Sequence, residues 1–374
     1  MMDFRRAASI AEAGDELSAD QMSALVEALL DQSAADREPS EGAVGAATRE
    51  GDQEVQRWLI ALSRKGESAG ELVGAARALR GRMIPIRNPR VDSVLPEHRR
   101  DILLDTCGTG GSKTGTFNIS TATAIVVSAA GIPVAKHGNR RATSRSGSAD
   151  VLAELGVEIE AERAIVERSL AEIGLCFCYA PRLHPAMRHV AQLRRSIATP
   201  TIFNLLGPLC NPAGATHQLL GTPLGEKQPI LAAALAELGT ERAFIVRGLD
   251  GQDEVTLDGI TEVHEVTVGG GIAVHRWSPE MFGLSPVSLP AIQAAGPPQS
   301  AAIIRDLLRG DLGPCRDIVL ANAAAAFLLV HRVQDLHEGV QLAAETIDSG
   351  SAARQLDRLR TLQKSVNLTP HEGT

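Results

Sequence analysis

The sequence predicts an α/β protein: a small all-helical domain, then a larger α/β domain whose mixed central sheet is flanked by helices. Three observations carry that expectation. Apolar residues recur at helical spacing between Met22 and Leu79. An apolar segment, a glycine-rich turn, a helical run and a second apolar segment follow one another from Ile102 to Ala135, the order of a βαβ unit. Further on, EVTLDGITEVHEVTVGGGIAVHRWSP reads as short antiparallel strands. At about 150 residues per domain, the 374-residue chain suits two domains, taken as residues 1–90 and 91–374.

Ser18-Ala19-Asp20-Gln21 opens the first helix as a capping box, with Met22, Leu25, Val26, Leu29 and Leu30 on one face. Gln32 to Gln53 is small and polar and is expected to be a loop. Val55, Trp58, Leu59 and Leu62 form the next apolar face, stopped at Gly66; Ser68-Ala69-Gly70-Glu71 caps a helix through Leu79. Gly81 to Arg99, carrying Pro85, Pro89 and Pro96, reads as a hinge or linker. Ile102-Leu103-Leu104 is expected to be a buried strand, ATAIVVSAAG a helix ended by Gly131 and Pro133, and Val134-Ala135 a second strand. Val151–Leu155 and Ala161–Ile173 look helical, Leu175–Tyr179 strand-like, and Pro185–Leu193 helical with Arg188, Arg194 and Arg195 towards its end. Ala243–Val246 is a buried strand, and Asp250-Gly251 marks a turn before Asp253 and Glu254. Arg316–Val333, apolar nearly all round, and Gly339–Val366 read as two closing helices, with a frayed tail from Asn367.

The chemistry centres on Asp105 to Asp150. Gly108, Gly110 and Gly111 let backbone N–H groups approach a ligand, and Ser120 and Thr121 stand where the helix dipole adds positive potential. That arrangement suits an anion. It is not a P-loop, since Cys107 and Ser112 occupy the two glycine positions counted from Lys113. Nor is it the dinucleotide fingerprint, which Gly108 and Gly110 begin and Lys113 breaks. Lys136, Arg140, Arg141 and Arg145 follow without an acid among them, with Ser144, Ser146 and Ser148 as small donors. Such a run reads either as a solvated basic loop or as the second wall of a polyanion site. Asp253 and Glu254 read either as solvated carboxylates or as oxygen ligands for a hard cation at the end of an α/β strand.

Composition narrows the alternatives. A net charge of −8 argues against a general nucleic-acid coat protein. Hydrophobic residues make up 44% and aromatic ones 3%, so the core is expected to be aliphatic. No apolar run approaches the roughly 20 residues of a membrane span, and the first residues lack the apolar centre of a secretory signal. Five cysteines without framework spacing suit reduced thiols in the cytoplasm, with Cys176 and Cys178 packed in a core.

GTGG, TFNIST, KHGNR and SGSAD, in this order, resemble the anthranilate phosphoribosyltransferase family, as do HPAM, the double arginine and TIFNLLGPL–NPAG further on. The resemblance spans most of the chain. It implies the type III phosphoribosyltransferase fold, a helical domain completed by residues 181–209, and transfer of phosphoribosyl from phosphoribosyl pyrophosphate (PRPP) to the amino group of anthranilate, the second step of tryptophan synthesis from chorismate. It implies PRPP contacts at Gly108, Gly111, Ser112, Thr116, Asn118, Ile119, Ser120, Thr121, Lys136, Asn139, Arg140, Ser144 and Ser148. Anthranilate would meet Gly108, His137, Asn139 and Arg194, with His137 orienting rather than a dedicated base. Mg²⁺ would be held by Ser120, Asp253 and Glu254. A homodimer through the helical domain would use the faces Met22–Leu30 and Val55–Leu62. Ser112-Lys113 departs from the Asp-Gly usual in the family, which leaves the number of Mg²⁺ ions open. A pyrimidine-nucleoside phosphorylase-like enzyme shares the fold class but matches only around the glycine turn and the lysine. A non-catalytic nucleic-acid-binding relative fits the net charge poorly.

Overall fold

The computed structural model describes residues 2–35, 50–88, 102–140, 146–197, 199–267 and 269–364. Four helices come first: α1 (Phe4–Glu12), α2 (Ala19–Ala35), α3 (Glu50–Lys65) and α4 (Ala69–Arg80). Both expected capping boxes form. Ser18 N donates to Gln21 Oε1 at 2.9 Å and Gln21 N to Ser18 Oγ at 3.2 Å. The Ser68–Glu71 pair does the same at 2.9 and 3.3 Å. Helices claim both ends of the polar stretch expected to be a loop, since α2 runs to Ala35 and α3 starts at Glu50; residues 36–49 lie outside the described residues.

The remaining elements are β1 (Leu104–Gly108), α5 (Ile119–Ala129), β2 (Val134–Gly138), α6 (Ser148–Glu154), α7 (Arg163–Ile173), β3 (Leu175–Tyr179), α8 (Ala180–Leu183), α9 (Met187–Ser196), α10 (Phe203–Leu209), β4 (His217–Gly221), α11 (Gln228–Glu237), β5 (Arg242–Gly248), β6 (Thr261–Val266), β7 (Ile272–Trp277), α12 (Pro297–Leu308), α13 (Pro314–Leu329), α14 (Leu336–Asp348) and α15 (Ser351–Lys364). The strands form one sheet in the order β3-β2-β1-β4-β5-β6-β7. It is parallel from β3 to β5 and antiparallel from β5 to β7, as a mixed sheet requires.

Several expectations needed correction. β1 starts at Leu104, the first residue in register with β4 opposite His217, whose N–H bonds Leu103 O at 3.0 Å as the first rung of the ladder. β4, at the centre of the sheet, and helices α10, α11 and α12 are elements not expected from the sequence. The last closing helix is two helices, broken where Gly350 takes φ +72°.

Side chains alternate across the sheet, and each face has its own core. Leu219, Phe244, Val246 and Val263 face α5 and α12–α15. Leu220, Ala243, Ile245 and Val266 face α11 and the helical bundle, in one apolar cluster with Leu72, Val73, Leu79 and Trp58. Helices α9 and α10 pack on α2 and α4 respectively. Residues Met22, Leu25, Val26, Leu29 and Leu30, and Val55, Trp58, Leu59 and Leu62, are buried in this chain's own core. That corrects the expectation that those two apolar faces are free to carry a dimer contact. The described part of the linker is pinned, with Ile84 N bonded to Leu183 O at 2.8 Å and Ile86 N to Pro212 O at 2.9 Å. A rigid-body rotation about it has to break those bonds and part the shared core; residues 89–99 lie outside the described residues.

Candidate active site

The carboxyl ends of β1 and β2, together with the loop after β5, open into a cleft of about 530 Å³ that is also lined by the first turn of α5 and by α9 and α10. Crevices at this end of a parallel sheet are where α/β folds bind ligands. Gly110 and Gly111 turn the chain after β1 at φ +68° and +83°, in the left-handed region. Gly221 ends β4 where a Cβ would stand 1.7 Å from Asp253 O, so only glycine lets the carboxylate loop lie against that strand. The same loop is clamped from behind by Asn322 of α13. Asn322 Oδ1 accepts Val255 N–H at 3.0 Å, and Asn322 Nδ2 donates to Val255 O at 2.9 Å.

Of the residues expected from sequence, Gly108, Gly111, Ser112, Thr116, Asn118, Ser120, Lys136, His137, Asn139, Arg140, Ser148, Arg194, Asp253 and Glu254 line this one cleft. Ile119 and Thr121 stand behind it. Their side chains are buried, and their N–H groups already bond Phe117 O and Asn118 O, so the geometry does not bring them to a ligand. Ser144 lies outside the described residues. Lys136 and His137 belong to β2 rather than to the loop after it.

Charge in the cleft is unevenly satisfied. Lys136 is buried, with Nζ 2.5 Å from Thr106 O and 3.2 Å from Ser120 Oγ. Burial lowers its pKa, against the opposing pull of Asp105, Cys107 and Glu254. Ser120 N–H, at the start of α5, donates to Glu254 Oε1 at 3.2 Å. Glu254 is nonetheless pushed up to about 8, first by burial and then by Asp253; Lys136 and the Ser120 N–H only partly offset this. Burial raises Asp253 as well, while a hydrogen bond from the Ser112 hydroxyl lowers it. These two carboxylates lack a sufficient counter-charge. Among the described residues no group of three or more His, Cys, Asp or Glu side chains could hold a metal. Asp253, Glu254 and the Ser120 hydroxyl all line the cleft and are hard oxygen donors of the kind Mg²⁺ takes.

Another part of the lining carries His137 and Arg194. His137 Nδ1 lies 3.0 Å from Gly207 O, and since a carbonyl only accepts, Nδ1 carries the proton. Burial, and then the neighbouring His184 ring at 5.1 Å, lowers His137 to about 3, so it stays neutral at physiological pH. Arg194 Nη2 donates to Asn204 Oδ1 at 2.9 Å, and no carboxylate among the described residues pairs with it. Beneath the floor, Asp105 accepts His137 N–H at 3.1 Å and Asn211 Nδ2 at 2.8 Å; burial raises it to about 6. Asp105, Asn204, Asn211 and Asn322 were not singled out from sequence.

The buried histidines have a thermodynamic consequence. Burial lowers His137 to about 3 and both His184 and His217 to about 4, below the ordinary 6.5. The unfolded chain therefore takes up protons that the folded one refuses. Their stabilising contribution is complete above pH 6.5, begins to fall below that value and is lost once pH has passed through 4 to 3. Urea midpoints are expected to drop from pH 7 to pH 4.5. A midpoint independent of pH over that span would refute the assignment.

With this geometry in hand, comparison with known proteins is direct. A family model described as "Glycosyl transferase family, a/b domain" matches residues 100–353. The anthranilate phosphoribosyltransferase of Rhodopirellula baltica is 54% identical over 358 residues, covering 96% of this chain and 97% of its own. The chain belongs to the anthranilate phosphoribosyltransferase family. Its members are phosphoribosyltransferases of tryptophan biosynthesis. The crystal structure of the Thermus thermophilus member matches with a TM-score of 0.82 and 38% identity, covering 97% of this chain and 100% of its own. The Saccharomyces cerevisiae member in complex with PRPP and Mg matches with a TM-score of 0.81 and 29% identity, covering 95% of each chain. The family resemblance read from the motifs and the mixed α/β fold with its helical N-terminal region are both borne out.

Proposed function

We propose that this cleft transfers the 5-phosphoribosyl group of PRPP to the amino group of anthranilate, with the phosphates at the glycine turn and the acceptor carboxylate at Arg194. The observation that carries the reading is that a guanidinium with no carboxylate partner among the described residues and two buried adjacent carboxylates line one cleft together. During transfer the C1–O bond to pyrophosphate breaks and its electron pair leaves with the pyrophosphate. The amine nitrogen bonds to C1 and then loses a proton to solvent or product phosphate. Lys136, the backbone after Gly108 and the hydroxyls of Ser112, Thr116, Ser120 and Ser148 are preorganised donors where negative charge grows. Asn118, Asn139 and Arg140 add donors along the same wall. Asp253, Glu254 and Ser120 would hold Mg²⁺, which when bound neutralises and orients pyrophosphate oxygens. His137, neutral, orients the acceptor. An aryl amine attacking a cationic sugar needs little prior deprotonation.

We divide the chain into residues 1–90 and 91–374, with 181–209 completing the helical part; the packing of α9 and α10 on α2 and α4 supports this. A homodimer through the helical domain is proposed on faces other than the two consumed in the core. Cytoplasmic residence is proposed too: the cysteines are free, and no helix among the described residues is long and apolar enough to cross a membrane. The direct test is fluorescence detection of phosphoribosylanthranilate from purified protein, PRPP, Mg²⁺ and anthranilate; absence of turnover overturns the reading.

Arg194→Ala is expected to weaken anthranilate by about 1.5–3 kcal/mol through loss of a charge-assisted pair, while PRPP is nearly unaffected. Equal losses for both substrates in steady-state kinetics would make Arg194 structural. At the departure from the family pattern, Ser112 Oγ lies 2.7 Å from Thr114 Oγ1, and Lys113 is on the cleft wall. An ammonium there does part of the work of a second cation. Lys113→Gly is expected to raise the Mg²⁺ concentration for half-maximal rate, and Ser112→Asp to raise the Mg²⁺ stoichiometry measured by calorimetry with PRPP. Superimposable titrations of wild type and both variants would sink this.

A further inference from the structure

Arg194 stands in the last turn of α9 and Asn204 near the start of α10, so neither helix alone sets the guanidinium's direction. One atom does. Asn204 Oδ1 accepts Arg194 Nη2 at 2.9 Å and Thr201 N–H at 3.0 Å. Both partners can only donate, so the oxygen, not the NH₂, must face them. The Asn204 NH₂ makes no hydrogen bond among the described residues, and Asn204 lines the cleft beside Arg194. A carboxylate at this position would accept the same two bonds and would hold the arginine at least as firmly. It would also cancel the positive charge and replace two free donors with an acceptor.

We propose that Asn204 is the residue that makes the cleft specific for a carboxylate-bearing acceptor, by fixing Arg194 through a neutral oxygen so that the guanidinium's full charge stays available. It is a positioning residue acting through Arg194, and the proposal rests on the reading of Arg194 as the acceptor's anchor. A neutral acceptor amide fixes direction without consuming charge, whereas an acidic one would turn an anion site into a closed ion pair. The adjacent NH₂ then offers a second donor to the same carboxylate.

The order of effects at one position separates this role from a structural one. If Asn204 only holds the α9–α10 corner, Asn204→Asp keeps both bonds and is milder than Asn204→Ala. If it keeps charge available, Asn204→Asp is the more harmful. Steady-state kinetics with each substrate varied, on Asn204→Asp, Asn204→Ala and Arg194→Ala, decide it, with thermal melts confirming that each variant is folded. The expected result is a rise in KM for anthranilate of about tenfold or more for Asn204→Asp, one decade per 1.4 kcal/mol, and a smaller rise for Asn204→Ala. The KM for PRPP should stay within about twofold in both. An anthranilate KM for Asn204→Asp at or below that of Asn204→Ala, with Arg194→Ala impaired selectively for anthranilate, overturns the proposal and leaves Arg194's role standing. A non-selective Arg194→Ala removes both.

Discussion

Lys136→Met is expected to lower kcat by about 10²–10³-fold, the usual cost of removing one preorganised donor from a developing anion. Methionine fills similar volume without charge, so the loss should be electrostatic rather than a packing defect. The ammonium is buried and bonds Thr106 O and Ser120 Oγ, which places it directly under the glycine turn. It is also the cation that opposes the upward shifts of both Asp105 and Glu254. Its removal therefore strikes the leaving group and the carboxylate pair together. Single-turnover kinetics at saturating PRPP and Mg²⁺ check this; a rate within about fivefold of wild type (roughly 1 kcal/mol) would exclude Lys136 from the chemistry.

The double variant Asp253→Asn/Glu254→Gln is expected to move activity and stability in opposite directions. Turnover should fall by about 10²-fold or more, comparable to losing an electrostatic clamp, and Mg²⁺ should no longer release heat on titration into the PRPP-bound protein. In metal-free buffer at pH 8.5 the same variant should melt above wild type. Burial and then the neighbouring Asp253 hold Glu254 near 8, and burial raises Asp253 above its ordinary value. A carboxyl with a raised folded pKa costs stability as pH rises through that value, and neutral amides escape the cost. A variant that is both inactive and less stable at pH 8.5 would mean that the carboxylates serve the fold rather than a cation.

The elements legible from sequence were those with punctuation or period. Gly108 to Gly111 announced a turn, Gly131 and Pro133 ended a helix, and Ser18 and Ser68 announced helix starts that the hydrogen bonds confirm. β4 was illegible because its five residues are buried on both faces, so HQLLG shows no alternation and no turn chemistry of its own. The stripes on α2 and α3 show that they are buried but not against what: α2 packs on α4 and α9, and α3 on α1, contacts that periodicity alone does not distinguish from a partner subunit. In the site, the cations and glycines clustered in the chain and could be read together. The residues that steady them could not. Asn322 reaches Val255 across 67 positions, and Asn211 reaches Asp105 across 106. An isolated asparagine in an apolar helix carries no local sign of which loop it holds.

The apolar cluster shared by α4 with β4, β5 and β6 has a bearing on how the molecule is made. On the ribosome α1–α4 emerge before the sheet, yet the surface they close on ends at Val266. At about 5–20 residues per second, the helices wait on the order of 10–40 s before their counterpart exists. During that interval α4 can pack on α2, but the part of its apolar surface that meets the sheet side of the cluster stays uncovered. The helical segment is thus synthesised before the sheet and completed only after it, and its exposure to misassociation is set by translation speed rather than by the stability of the finished fold.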